Sequence, residues 1–171
     1  MLPRILLVLG VLTASVARAD LDLPHDEKWL MVGPLFTSSV REARGEAGVG
    51  LEASLNLLDG FQSLGLLGQV EWMESRHSRV CVGVQGTLLF LGLELGVMHE
   101  TANRLHVATT GLHVAPYLSF IYGSVGLRLG IPLIGAEETR RTRHGFDAAF
   151  VLTLKLPVSL EGGKGGGIPH L

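Results

Sequence analysis

His77 and Ser78 are adjacent in a charged stretch that begins at Glu74. A hydroxyl, an imidazole and a carboxylate are the materials of nucleophilic acyl transfer, but such triads are defined by geometry and not by adjacency in the chain. Adjacency alone leaves these as ordinary polar loop residues. His99, His106 and His113 recur at equal spacing. A metal site needs such side chains to converge, and a spacing spread over strands and a loop does not bring them together, so rim and lumen positions are expected for them. Gly162-Gly163-Lys164-Gly165-Gly166-Gly167 lacks the spacing of a phosphate-binding loop and the helix that follows one; it reads as a flexible end. Arg140-Arg141-Thr142-Arg143 suits anionic headgroups, yet as a solvated loop it needs no partner. Cys81 is the single cysteine, which excludes an internal disulfide and a cysteine metal cluster. No catalytic residue, metal ligand or cofactor is expected from these patterns.

The elements that carry these residues begin with an export signal. Arg4 is followed by the apolar run Ile5 to Leu12, and Ala17-Arg18-Ala19 supplies the small residues a signal peptidase reads. The expected organisation is a signal peptide over 1–19, one domain over 20–160 and a Gly-rich tail over 161–171. Cleavage removes Arg4 and Arg18 and no acid, which moves the formal net charge from −2 to −4. That charge offers no reason to expect nucleic acid as a partner.

Hydrophobic residues make up 47% of the chain and charged residues only 18%, yet no mature segment is a clean membrane helix. Val80 to Met98 carries four glycines, Gln85 and Glu94; Leu112 to Ile134 carries His113, Pro116, Arg128 and Pro132. The dominant pattern has period two. In Gly48 to Leu57, Val49, Leu51, Ala53, Leu55 and Leu57 alternate with Gly48, Gly50, Glu52, Ser54 and Asn56. Arg79 to Thr87, Phe90 to His99, Ser124 to Ile131 and Asp147 to Leu156 alternate in the same way, and weaker versions occupy Leu30 to Ser38, Leu64 to Glu74 and Leu112 to Phe120. A strand puts each set on one side, so about eight strands are expected, each near the length a tilted membrane strand needs.

The connections alternate as well. Arg41 to Arg44, Glu74 to Arg79, Glu100 to Arg104 and the run containing Glu137, Glu138, Arg140, Arg141, Arg143 and His144 are polar. Those around Asp59-Gly60, Thr87 to Phe90 and Ile121 to Gly123 are short and flanked by apolar residues. In an up-and-down meander this puts polar loops at one end, and short turns with both termini at the other.

Glycine is a poor choice for a solvated strand surface and a sensible one inside a narrow barrel. The Gly/polar face is therefore expected inside, with a structural lumen cluster of Glu52, Glu71, Gln85, Glu94, His113, Arg128 and Lys155, joined by Gln69. Buried charges need partners, and Glu94 or Glu52 with Arg128 or Lys155 are the natural pairs. The other face is expected to meet lipid, through Leu51, Val82, Leu93, Leu127, Leu129, Phe150 and Leu152. Trp72, Phe120 and Tyr122 fall near strand ends, where aromatic girdles lie.

With its signal peptide, alternating strands such as GVGLEASLNLL and GSVGLRLGIPL, and alternating turns, the chain resembles the small eight-stranded outer-membrane barrels of the OmpA-like and OmpX-like kind. It departs from them in a last strand that ends in Leu160 and not in an aromatic residue, and in short outside loops. The resemblance implies an all-β, antiparallel, up-and-down transmembrane barrel in the cell outer membrane. Its lumen would be plugged, its role structural or in envelope contacts, and it would have no enzyme activity. The implied partners are outer-membrane lipid, then lipopolysaccharide or other envelope proteins. Two alternatives stand beside this: a soluble periplasmic lipocalin-like barrel that binds an apolar ligand, and a lipid-modifying barrel hydrolase.

Overall fold

A computed structural model describes residues 25–135 and 140–160. The expected signal peptide, the Gly-rich tail and the loop residues Glu137 and Glu138 lie outside the described residues. Nine strands follow one another: β1 (Glu27–Arg41), β2 (Arg44–Asp59), β3 (Gln62–Met73), β4 (His77–Leu88), β5 (Leu91–Glu100), β6 (Thr109–Phe120), β7 (Gly123–Ile134), β8 (Asp147–Leu154) and β9 (Leu156–Ser159). Each pairs antiparallel with the next from β1 to β8, and β1 closes the ring on β8 and β9. β8 and β9 keep one register along β1, from Arg41↔Asp147 to Trp29↔Ser159, so they are one strand of an eight-stranded barrel. The break between them lies opposite Gly33 and Pro34, and Pro34 has no N–H to give to the ladder.

Closure depends on the same place. A Cβ added to Gly33 would lie 1.7 Å from the Leu154 carbonyl oxygen, so only glycine lets β1 approach the last strand this closely.

The expected segments match these strands; most strands extend a few residues beyond them, whereas β5 is shifted by one residue from Phe90 to His99 and β3 stops at Met73, before the expected Glu74. The turns explain themselves locally. Glu42 and Ala43 join β1 to β2 with φ of 48° and 63°, the pair of left-handed residues that a two-residue hairpin requires. Gly60 and Leu89 take φ of 58° and 59° at the opposite end. The connection 101–108 and the described residues 140–146 share the end that carries Glu42 and the Glu74 loop. They are stitched together by Val107 N–H to the Thr142 carbonyl at 2.9 Å and by the bridge His106↔Thr142. The other end holds short turns with exposed Phe61, Leu89, Phe90, Ile121 and Tyr122, and both ends of the described barrel wall.

Burial alternates strand by strand, as in β2, where every second residue from Gly48 to Asn56 is buried. What is buried is unusual. Glu52, Glu71, Arg79, Arg128, His113 and Asn56 are among the largest fully buried side chains, while leucines, valines and phenylalanines cover the outside. The barrel has a polar core and an apolar surface.

Candidate functional site in the barrel lumen

All seven lumen residues expected from the alternation, Glu52, Glu71, Gln85, Glu94, His113, Arg128 and Lys155, are buried inside the barrel, and so is Gln69. All seven expected on the opposite face are outside: Leu51, Val82, Leu93, Leu127, Leu129, Phe150 and Leu152 are between 38% and 65% exposed. Such values are high for large apolar side chains in the middle of strands, and the exposed face runs around the whole wall.

The interior residues form two networks. The first crosses the barrel near its middle. Lys155 pairs with Glu52. The Gln69 amide nitrogen donates to Glu52 Oε2 at 2.9 Å and to Glu94 Oε2 at 3.2 Å. His113 Nε2 then donates to the same Glu94 oxygen at 3.0 Å. Gln85 stands apart from this chain and donates to the Asn56 side-chain oxygen. Nearer the short turns, the Tyr117 hydroxyl meets Thr87 Oγ1 at 2.7 Å.

The second network lies toward the polar loops. Arg128 pairs with Glu71, which also accepts from Thr37 Oγ1 at 2.8 Å. Arg128 approaches Asp147 Oδ2 at 3.6 Å, and Arg79 donates to the same oxygen at 2.8 Å. Arg79 Nε also donates to Glu100 Oε1 at 3.0 Å, and Arg41 Nη2 reaches that oxygen at 2.6 Å. Three guanidinium groups thus face three carboxylates. This balance makes the burial of six charges tolerable, because a charge in a low-dielectric interior is costly unless it is paired and hydrogen-bonded.

The pairing expected between Glu52 and Lys155 is made. Arg128 pairs instead with Glu71 and Asp147, because the closed register sets β3 and β8 around it while Glu94 is held by Gln69 and His113. Sequence reasoning left Arg41, Arg79, Glu100, His77 and His144 out of the lumen. For the four that lie on strands the signal was present. Arg79 is in phase with Cys81, Glu100 with Met98, Arg41 with Ser39 and His77 with Arg79, and each inner face runs to the strand end. His144 lies in a connection, where alternation carries no information.

The histidines separate as follows. His99 is exposed and contacts Thr110 Oγ1 at 2.9 Å, whereas His113 is buried in the lumen, so the equally spaced set does not converge. His106 stacks on His144 with ring centroids 4.7 Å apart, and His77 lies 4.8 Å from His144 on another side. His77 and Ser78 point to opposite faces, as neighbours on a strand must. His77 Nδ1 meets Ser75 Oγ at 2.7 Å. The His144 tautomer follows from its partners: Nε2 faces the Thr101 carbonyl at 3.1 Å and must carry the proton, and Nδ1 accepts from Arg41 at 2.6 Å. Burial is the main cause of a His144 pKa lowered to about 4; Glu100 opposes it, and Arg41 adds to the lowering. Burial also lowers the pKa of His106.

No family model, no curated protein and no solved structure matches the chain. The class rests on the fold itself: a closed, antiparallel, up-and-down eight-stranded barrel with a charged, hydrogen-bonded interior and an apolar exterior.

Proposed function

We propose that the chain is a small integral outer-membrane barrel with a sealed lumen, whose role is structural or in contacts with other envelope components and not enzymatic. One observation carries this reading. The charged residues in the central spans of the strands, Glu52, Glu71, Glu94, Arg128 and Lys155, are all buried, while the leucines, valines and phenylalanines between them are exposed. A soluble barrel has the opposite arrangement. Apolar patches beyond a few hundred Å² mark a partner or a membrane, and a belt encircling the wall suits hydrocarbon on every side.

Strand length agrees. Strands of 12 residues such as β3 and β4 are about 40 Å long at a rise near 3.3 Å per residue. Tilted by about 45°, they span roughly 28 Å, close to the hydrocarbon thickness. Trp72, Phe120 and Tyr122 are exposed near strand ends, where interfacial aromatics would sit. The sealed lumen rests on the networks above. The spaces beside His113 and beside Lys155 are about 10 and 40 Å³, room for no more than a few waters.

Fractionation tests the proposal. The protein is expected to stay with outer membranes through high-salt and carbonate washes, and to show heat-dependent gel mobility. Release by carbonate, or monodisperse behaviour in buffer without detergent, would refute it.

One feature favours the ligand-binding alternative. A cavity of about 370 Å³ opens at the short-turn end, lined by Trp29, Met31, Phe61, Leu89, Phe120 and Ile121. It is within the size range of small-molecule sites. Under that reading a fatty acid would bind to the washed, soluble protein, and Phe61→Asp would abolish binding.

A further inference from the structure

We propose that His77, Glu100 and His144 form a binding site for a divalent cation of the zinc class, built into the polar-loop end of the lumen. The site departs from the expectation that the chain holds no metal. It rests on the lumen geometry alone, and stands whether lipid or water meets the outer wall.

Three observations carry it. The first is convergence. One ligand atom from each of the three residues lies within 4.8 Å of the others. His77 Nε2 is 3.7 Å from Glu100 Oε1, and His144 Nδ1 is 3.6 Å from Glu100 Oε2. Ligands about 2.0–2.1 Å from a tetrahedral zinc lie roughly 3.3 Å from one another. These two separations are therefore close to those of a bound ion, and a shift on the order of 1 Å in the widest pair completes the seat. The three residues come from the start of β4, the end of β5 and the connection before β8, so an ion would tie together parts distant in sequence.

The second is unspent ligand capacity. His77 Nε2 and Glu100 Oε2 are buried with no hydrogen-bond partner among the described residues, and the side chains of His77, Glu100 and His144 are fully enclosed. Buried polar atoms are nearly always satisfied. Both orphans lie within the cluster, His77 Nε2 3.7 Å from Glu100 Oε1 and Glu100 Oε2 3.6 Å from His144 Nδ1, and a cation would satisfy them.

The third is the support behind the imidazoles. Metal-binding histidines usually give their other ring N–H to an oxygen, which fixes the tautomer. Here His144 Nε2–H donates to the Thr101 carbonyl, and His77 Nδ1 lies against Ser75 Oγ. Both rings thus have the nitrogen away from the centre against an oxygen and the other nitrogen toward the centre, where the His144 lone pair is engaged by Arg41. Two histidines and one carboxylate are a zinc ligand set that leaves a fourth position for water.

Arg41 stands in the way, and this makes the proposal specific. Its Nη1 lies 2.6 Å from His144 Nδ1 and its Nη2 2.6 Å from Glu100 Oε1, so the guanidinium occupies the seat in competition with the cation. It also lines an open cavity of about 590 Å³ beside Glu46, Ser75 and His106. That cavity gives Arg41 room to withdraw, and Arg41 is the side chain between it and the seat. The ion then replaces Arg41 beside Glu100, whose Oε1 keeps its bond from Arg79 Nε.

The test uses the untagged full chain, folded in detergent, and titrated with Zn²⁺ alone and with Co²⁺ as a visible-absorption probe. The expected result is one ion per chain with a tetrahedral Co²⁺ spectrum. His77→Gln and His144→Gln should each weaken binding at least tenfold. His99→Asn, on the outer wall, should leave it unchanged. Arg41→Met should tighten binding by about tenfold, which a purely structural network would not do. Absence of stoichiometric binding, or wild-type affinity in both His77→Gln and His144→Gln, overturns the proposal. If those two variants fail to fold, Arg41→Met decides: unchanged or weaker affinity there overturns it.

Discussion

Leu127→Arg separates a wall that meets lipid from a wall that meets water. Leu127 is 60% exposed on the outer face of β7, and its cross-strand neighbour is Phe150. β7 runs from Gly123 to Ile134, so Leu127 lies four residues from the turn end. At about 3.3 Å per residue and a tilt near 45°, that is roughly 10 Å along the barrel axis, or about 4 Å from the midpoint of the wall. An arginine on the lipid face near the midplane costs about 2–4 kcal/mol. At an exposed site in water the same change stays within about 0.5 kcal/mol. The two outcomes differ by a factor of roughly ten or more in the folding equilibrium. The assay is reversible urea unfolding of the mature protein in phospholipid vesicles, followed by tryptophan emission and gel mobility. Gln85→Ala is the inward control. It removes the hydrogen bond to Asn56 at a cost of about 0.5–1.5 kcal/mol, whatever surrounds the barrel. A loss below about 0.5 kcal/mol for Leu127→Arg in vesicles would show that hydrocarbon does not touch this face.

Other perturbations probe the interior. Glu71→Gln takes the charge from the partner of Arg128 and leaves a buried guanidinium undercompensated. Unfolding titrations should show a loss of about 3–5 kcal/mol, and the double replacement Glu71→Met with Arg128→Met should recover most of it. Gly33→Ala drives a methyl into the Leu154 carbonyl oxygen at the seam between the first and last strands. The expected result is loss of the compact, heat-sensitive gel species, while Gly45→Ala, where an added Cβ meets nothing within 4 Å, should keep it.

Much of this barrel is written in local pattern. Alternation marked the strands and told which side of each residue faces in, because a strand's side-chain period is two whatever it pairs with. Turn character marked the ends, because Glu42-Ala43 and Gly60 answer to their own backbone angles. The same parity, carried to the strand ends, places Arg41, Arg79 and Glu100 in the lumen. Partner choice is another matter. Whether Arg128 meets Glu71 or Glu94 depends on the stagger between strands and on how β1 closes on β8, and these are properties of the whole ring.

His77, Glu100 and His144 show the division most sharply. The chain places two of them at strand ends and the third in a long connection, with nothing in their spacing to join them. Closure of the sheet brings β4 and β5 together, and residues 140–146, tied through Thr142 to the 101–108 connection, set His144 against the other two. Residue types and facing are local properties that one strand can carry alone; convergence is a distance between strands, and only the closed ring defines it.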